Sequence, residues 1–175
     1  MTDRDGLREL QGRLAERLQS ARTEPAQRAW LAAEAGGCGV LFPLHEAGEI
    51  FPVAQLQPVP HTQPWFAGVA NLRGGLHAVV DLAAFLGLRP RAGTPGDGAR
   101  LLALNAALGV NCALLVDRLA GLRQAGQLQA EPDDEAAPAR PGFAGGRWRD
   151  DAGRLWQEID LTALAGNEHF LGVAA

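Results

Sequence analysis

The chain has 175 residues, 47% of them hydrophobic, and its twenty acidic and sixteen basic side chains leave a net charge of −4. That length suits one domain with a sizeable core, and the hydrophobic share excludes a disordered segment. The acidic balance argues against a strong nucleic-acid binder, whose phosphate contacts need a basic surface. All sixteen basic residues are arginine, which reads as composition bias more than as chemistry. Cys38 and Cys112 belong to no Cys-x-x-Cys, and no histidine cluster has zinc-site spacing, so both cysteines are expected to be small apolar packing groups and no metal or cofactor is expected. The start Met1-Thr2-Asp3-Arg4-Asp5 is polar and unlike a signal peptide. No apolar run approaches the roughly 20 residues that span a bilayer. A reduced, cytoplasmic protein without direct membrane insertion is the expectation.

Leu7, Leu10, Leu14 and Leu18 recur at helical spacing and predict a helix over 2–22, with Thr2 and Asp5 resembling a capping box and Pro25 following the stop. A narrow stripe of this kind packs on its own domain or meets a partner helix. A connector containing Trp30 follows, so residues 1–35 read as helix and connector and 36–175 as the main domain. From Gly36 the pattern changes to short apolar stretches broken by Gly, Pro and Asp, the rhythm of a β sandwich or barrel. Val40–Leu44 predicts a strand, followed by a polar turn over 46–49; Gly75–Leu82 predicts another. Leu101–Leu104 and Asn111–Val116 predict a hairpin pair around Gly109. Leu155–Asp160 is the expected last strand, and Leu161–Leu164 a short helix ended by Gly166. Arg89–Gly98 and Glu131–Gly142 are rich in Pro and Gly and read as loops, the second carrying the acidic run Asp133-Asp134-Glu135.

The stretch Glu49–Leu88 is the most informative. It holds Gly68-Val69-Ala70-Asn71-Leu72-Arg73-Gly74-Gly75, then Val79-Val80-Asp81-Leu82, then Leu86-Gly87-Leu88. This resembles the central signature of the CheW-like adaptors, G-V-x-N-L-R-G followed by V-x-D-L and L-G-L. Ala47-Gly48-Glu49-Ile50 resembles the family's V-x-E-I element, with Ala47 in place of the usual Val. Weaker likenesses continue through Leu114-Leu115-Val116-Asp117, Phe143-Ala144-Gly145-Gly146 and Gln157–Leu161, so the resemblance spans about residues 38–166. It implies an all-β fold of two SH3-like five-stranded β-barrels, here with an added N-terminal helix and a short C-terminal helix.

The motif also has a plain folding reading. Gly74 and Gly75 suit a turn with positive φ, and Asp81 and Asp117 end apolar strands where a carboxylate can accept backbone N–H groups of the next turn. Asn71, Gly74, Asp81 and Asp117 are therefore assigned as structural residues. Arg73 is harder to explain by folding. The resemblance implies that it lies, with Glu49 and Ala47, on the surface that binds the regulatory domain of a CheA-like histidine kinase. It further implies an apolar groove between the barrels for the signalling tip of a chemoreceptor, with Leu76, Val79 and Leu115 as candidate walls; ordinary core is the other reading of these three.

The leading helix, the Trp30-containing connector and the C-terminal Trp156…Leu164…Phe170-Leu171-Gly172-Val173-Ala174 resemble the PilI-type branch, which serves arrays controlling type IV pili and twitching motility. The tail can equally serve only to cap the barrel end. The resemblance implies a non-enzymatic scaffold, recruited from the cytoplasm to membrane-associated receptor arrays. A flagellar chemotaxis adaptor is the nearest alternative, and a small-barrel nucleic-acid-binding protein a more distant one. An enzyme would need a nucleophile with its base, paired carboxylates, a metal set or a phosphate loop. His45, His61, His77 and His169 are dispersed, Ser20 is the only serine, and no G-x-x-x-x-G-K-[ST] occurs.

Overall fold

Eleven strands among the described residues make two sheets, in a computed structural model that describes residues 28–132 and 139–175. The predicted helix over 2–22 and the run Asp133-Asp134-Glu135 lie outside those residues. The strands are β1 (Ala29–Ala35), β2 (Cys38–Pro43), β3 (Ala47–Pro52), β4 (Phe66–Leu72), β5 (Gly75–Asp81), β6 (Arg100–Leu104), β7 (Cys112–Val116), β8 (Arg118–Gln124), β9 (Leu128–Glu131), β10 (Ala144–Asp150) and β11 (Leu155–Ile159). Among the described residues there are also three short α-helices, α1 (Leu82–Phe85) after β5, and α2 (Leu161–Ala165) and α3 (Glu168–Leu171) after β11, with single 3-10 turns at Ala106–Leu108 and Ala125–Gln127.

The first sheet runs β8-β1-β2-β11-β10-β9 and the second β3-β6-β7-β5-β4. The chain thus begins the first sheet, builds the whole of the second, and returns. Most pairings are antiparallel; β11 with β2 and β5 with β7 are parallel. The second sheet curls until its two ends meet: Gln57, just beyond β3, exchanges backbone hydrogen bonds of 2.8 and 2.9 Å with Val69 of β4. It has the expected five strands, while the first has six because β8, β9 and β10 all follow the return.

Alternation along the strands sorts the apolar side chains into three cores. Trp30, Ala32, Leu41, Leu128 and Trp156 fill the first barrel. Ala70, Leu72, Val79, Leu101, Ala113 and Leu115 fill the second. The other faces of the same strands, with Leu31, Phe42, Val80, Leu102, Leu114 and Ile159, form the large core between them. A strand such as β7 is therefore buried at every position, and its sequence runs apolar without alternation.

Two expectations change here. The Trp30 segment is not a connector but β1, paired with both β2 and β8, so residues before Gly36 already belong to the first sheet. Its sequence, Ala-Trp-Leu-Ala-Ala-Glu-Ala, lacks the β-branched residues that mark strands, and only its burial between two cores makes it one. The polar stretch 46–49 is not all turn. Ala47, Gly48 and Glu49 already belong to β3, because Ala47 pairs with Leu104 of β6 and a Cβ on Gly48 would meet the Ala103 carbonyl at 2.7 Å.

The tail caps the assembly. Phe170 of α3 is buried against Trp65 and Phe85, and residues 173–175 hydrogen-bond to His61 and Gln63. Leu114 lies wholly buried in the middle of β7, facing the core between the barrels. Leu114→Ala is expected to destabilise the protein by about 3 kcal/mol, from lost transfer energy and the residual cavity, as read by urea unfolding.

Candidate partner-binding surface

The residues singled out in the sequence fall into three places. The first is the tip of the β4–β5 hairpin. Leu72 pairs with Gly75, leaving Arg73 and Gly74 as a two-residue turn. Both have positive φ, +50° and +83°, as a hairpin turn of this length requires. Gly75 does not share this conformation, so the second left-handed position is Arg73 itself, contrary to the reading that placed both on glycines. Asn71 accepts a hydrogen bond from the Gly74 N–H at 2.8 Å, closing the turn from the side.

Barrel closure brings this tip to β3. Arg73 Nη2 lies 2.6 Å from Glu49 Oε1, and its Cζ sits 5.9 Å from the Phe51 ring centre. The Arg73 side chain is nevertheless 73% exposed and that of Glu49 43%. Residues 24 positions apart in sequence thus form one exposed, charge-paired patch beside Leu76, which is paired with Asn71 and is 65% exposed. Ala47 is half-buried and packs against the core between the barrels.

The second place is interior. Val79 and Leu115 are at most 2% exposed and point into the second barrel with Leu72 and Ala70. They are core and line no groove, which leaves Leu76 alone of the three at the surface. Hydrophobicity could not separate them, because a strand buried on both faces has no outward side to read.

The third place is the junction of the two barrels. Asp81 caps α1 by accepting the Ala84 N–H at 3.1 Å, and its other oxygen accepts the Gly93 N–H at 2.9 Å. Asp117 accepts the Gly36 N–H at 2.7 Å, reaching the β1–β2 turn of the other barrel. Arg89 joins the two carboxylates, at 3.1 Å to Asp81 and 2.6 Å to Asp117. Burial works against the Arg89 charge, but the hydrogen bond to Asp117 and the attraction of Asp81 outweigh it and raise its pKa. The sequence reading does not include Arg89; its one signal is an arginine in a Pro- and Gly-rich loop that lies between two strand-ending aspartates. Nearby, Glu34 of β1 takes a bidentate pair from Arg118 at 2.5 and 2.6 Å and a further bond from Arg154. The Arg118 hydrogen bond, with Arg154 helping against burial, holds its carboxyl below the usual range.

Cys112 is buried, which pushes its thiol up to about 12. Among the described residues no group of three or more His, Cys, Asp or Glu is placed to hold a metal. A hollow of about 350 Å³ beside the first barrel contains Glu158, whose two oxygens accept the indole N–H groups of Trp30 and Trp148. Among the described residues no helix is long and apolar enough to cross a membrane.

The chain thus joins a two-barrel fold to an Asn-Leu-Arg-Gly hairpin tip paired to a glutamate on the facing strand, the fold class of scaffold domains. The model of the CheW-like domain matches residues 30–169, and the chain belongs to that family. It is similar to Protein PilI of Pseudomonas aeruginosa, with 31% identity over 145 residues that cover 79% of this chain and 76% of the relative. The crystal structure of the scaffolding protein TtCheW from Thermoanaerobacter tengcongensis superposes with a TM-score of 0.63 at 18% identity, covering 76% of this chain and 88% of that one. The family match begins at Trp30, in agreement with β1 as the first strand of the domain.

Two outcomes test the junction. Arg89→Met strands Asp81 and Asp117 without their shared cation and is expected to cost about 3 kcal/mol, measured by chemical denaturation. Glu34 has a depressed folded-state pKa, so its contribution is present at neutral pH and is lost as the pH falls from the ordinary carboxylate range through the folded value. Glu34→Gln should lower stability at pH 7 and flatten its loss as the pH falls below the ordinary carboxylate range, as followed by thermal unfolding at a series of acid pH values.

Proposed function

We propose that the chain is a non-enzymatic adaptor that couples a CheA-like histidine kinase to chemoreceptor signalling tips, in an array controlling type IV pili and twitching motility. The observation that carries this reading is the Arg73–Glu49 patch. An arginine held in a left-handed turn, largely exposed and salt-bridged to a partner on the facing strand, serves packing poorly and recognition well. Family membership supports the scaffold role, and the likeness to PilI supports the pilus branch.

In this reading the kinase regulatory domain meets Arg73 and Glu49 on the second barrel, with Ala47 contributing at most a partly covered methyl group. Leu76 offers an exposed apolar contact beside them for the kinase or the receptor tip. Arrays at the membrane recruit the protein through these partners. The ionic junction of Arg89, Asp81 and Asp117, in which Asp81 is wholly buried and the other two are partly exposed, keeps the two barrels in one orientation, so that contacts on either barrel are held at a set distance.

Arg73→Glu reverses the charge at the hairpin tip and sets two acids against each other. It is expected to weaken kinase binding at least about tenfold while leaving the far-ultraviolet circular dichroism unchanged, with affinity measured by calorimetry against the purified kinase domain. Wild-type affinity in this variant removes Arg73 from the interface. Wild-type protein that binds neither kinase nor receptor overturns the adaptor reading. Genetic deletion that abolishes swimming rather than twitching reassigns the output to flagella.

A further inference from the structure

The fold contains two hairpins with the same two-residue turn, and they differ in one telling way. Between β1 and β2, Ala35 pairs with Cys38 and the turn residues are Gly36 and Gly37, at φ +57° and +81°. Between β4 and β5 the turn residues are Arg73 and Gly74, at +50° and +83°. Backbone demands are the same at both, and glycine meets them without the steric penalty a Cβ brings. The first hairpin uses glycine where the second uses arginine. Packing does not ask for that arginine, because its side chain is 73% exposed.

The second turn has a support that compensates. Asn71 Oδ1 accepts the Gly74 N–H at 2.8 Å, a group that the β4–β5 ladder leaves without a partner. This bond fixes the peptide directly after Arg73 and so the direction in which the arginine leaves the tip. Glu49 at 2.6 Å and the Phe51 ring then receive the guanidinium.

We propose that Asn71 is a positioning residue for partner recognition: it holds the strained Arg73–Gly74 turn so that the Arg73 guanidinium is aimed before a carboxylate-bearing partner surface arrives. The inference rests on the adaptor reading above, and it adds a residue that acts through Arg73 without touching the partner. Preorganisation of this kind lowers the ordering cost of binding.

The test uses the full chain with Asn71→Ala, Asn71→Asp, Arg73→Ala, Arg73→Asn and the double variant Asn71→Ala/Arg73→Ala. Readouts are kinase affinity by calorimetry, ¹⁵N relaxation of the Arg73 Nε–H, and thermal unfolding. Asn71→Ala is expected to lower the order of the Arg73 Nε–H and weaken binding about fivefold, the equivalent of one net hydrogen bond. Asn71→Asp keeps the acceptor oxygen and should restore both. In the Arg73→Ala background, Asn71→Ala should change affinity less than about twofold, since the residue it aims is gone. Arg73→Asn makes the Asn-Gly pair favoured in such turns and should melt no lower than wild type while losing affinity about tenfold.

Unchanged Arg73 order in Asn71→Ala overturns the positioning role, whatever the kinase does. Equal loss of affinity from Asn71→Ala with and without Arg73 also overturns it, because Asn71 then acts on its own. A clear fall in melting temperature for Arg73→Asn means the arginine is there for folding, and that result overturns the inference too. Wild-type kinase affinity in Arg73→Ala instead overturns the adaptor interface on which the inference rests, and is told apart by leaving the relaxation result standing.

Discussion

The architecture depends on strands that are buried on both faces. In β5, β6 and β7 each residue faces the opposite way from its neighbour, so Val79, Leu101 and Leu115 enter the second barrel while Val80, Leu102 and Leu114 enter the core between the barrels. In β1 and β2 the same division sends Trp30 and Leu41 into the first barrel and Leu31 and Phe42 into the shared core. A slip of one residue in any of these strands would exchange two cores of different shape. Register is therefore over-determined, and it is register that sets which residue stands at each hairpin tip.

Two apolar walls packed together would tolerate sliding, and the junction limits it with polar contacts of fixed geometry. Arg89 bridges an aspartate capping α1 and an aspartate reaching the β1–β2 turn, so one guanidinium ties the end of β5 to the opposite barrel. A buried ionic group is costly unless every member is paired, which makes such a network poor at adding stability and good at specifying one arrangement. The wholly buried Asp81 meets that condition through the Ala84 and Gly93 amides together with Arg89. For a scaffold, whose output is the relative placement of partners, one arrangement is the useful property.

Against this rigid frame the exposed chemistry is sparse and local. The patch of Arg73, Glu49 and Leu76 combines a cation, an anion and an apolar side chain at a tip where the backbone is held in an unfavourable region. Energy is given up there that glycine would have kept, and the first hairpin shows the cheaper solution in the same molecule. The proposed recognition role of this tip accounts for strain accepted at an exposed position with a dedicated hydrogen bond to hold it.

The amino-acid sequence by itself determined the strand-rich domain, several strand positions and the family signature, because those rest on local features: Gly and Pro punctuation, apolar runs of strand length, and Asn71-Leu72-Arg73-Gly74 at its spacing to Glu49 and Asp81. Tertiary structure decided the rest. The alanine-rich segment around Trp30 became a strand only because two cores cover it, which no local propensity encodes. Val79 and Leu115 became interior while Leu76 stayed outside, since two-sided burial erases the alternation that would have told them apart. Arg89 gained its role from two aspartates 8 and 28 residues away that only folding brings within reach. The contact between Arg73 and Glu49 likewise required the second barrel to close, and that long-range event turned two separate motif residues into one surface.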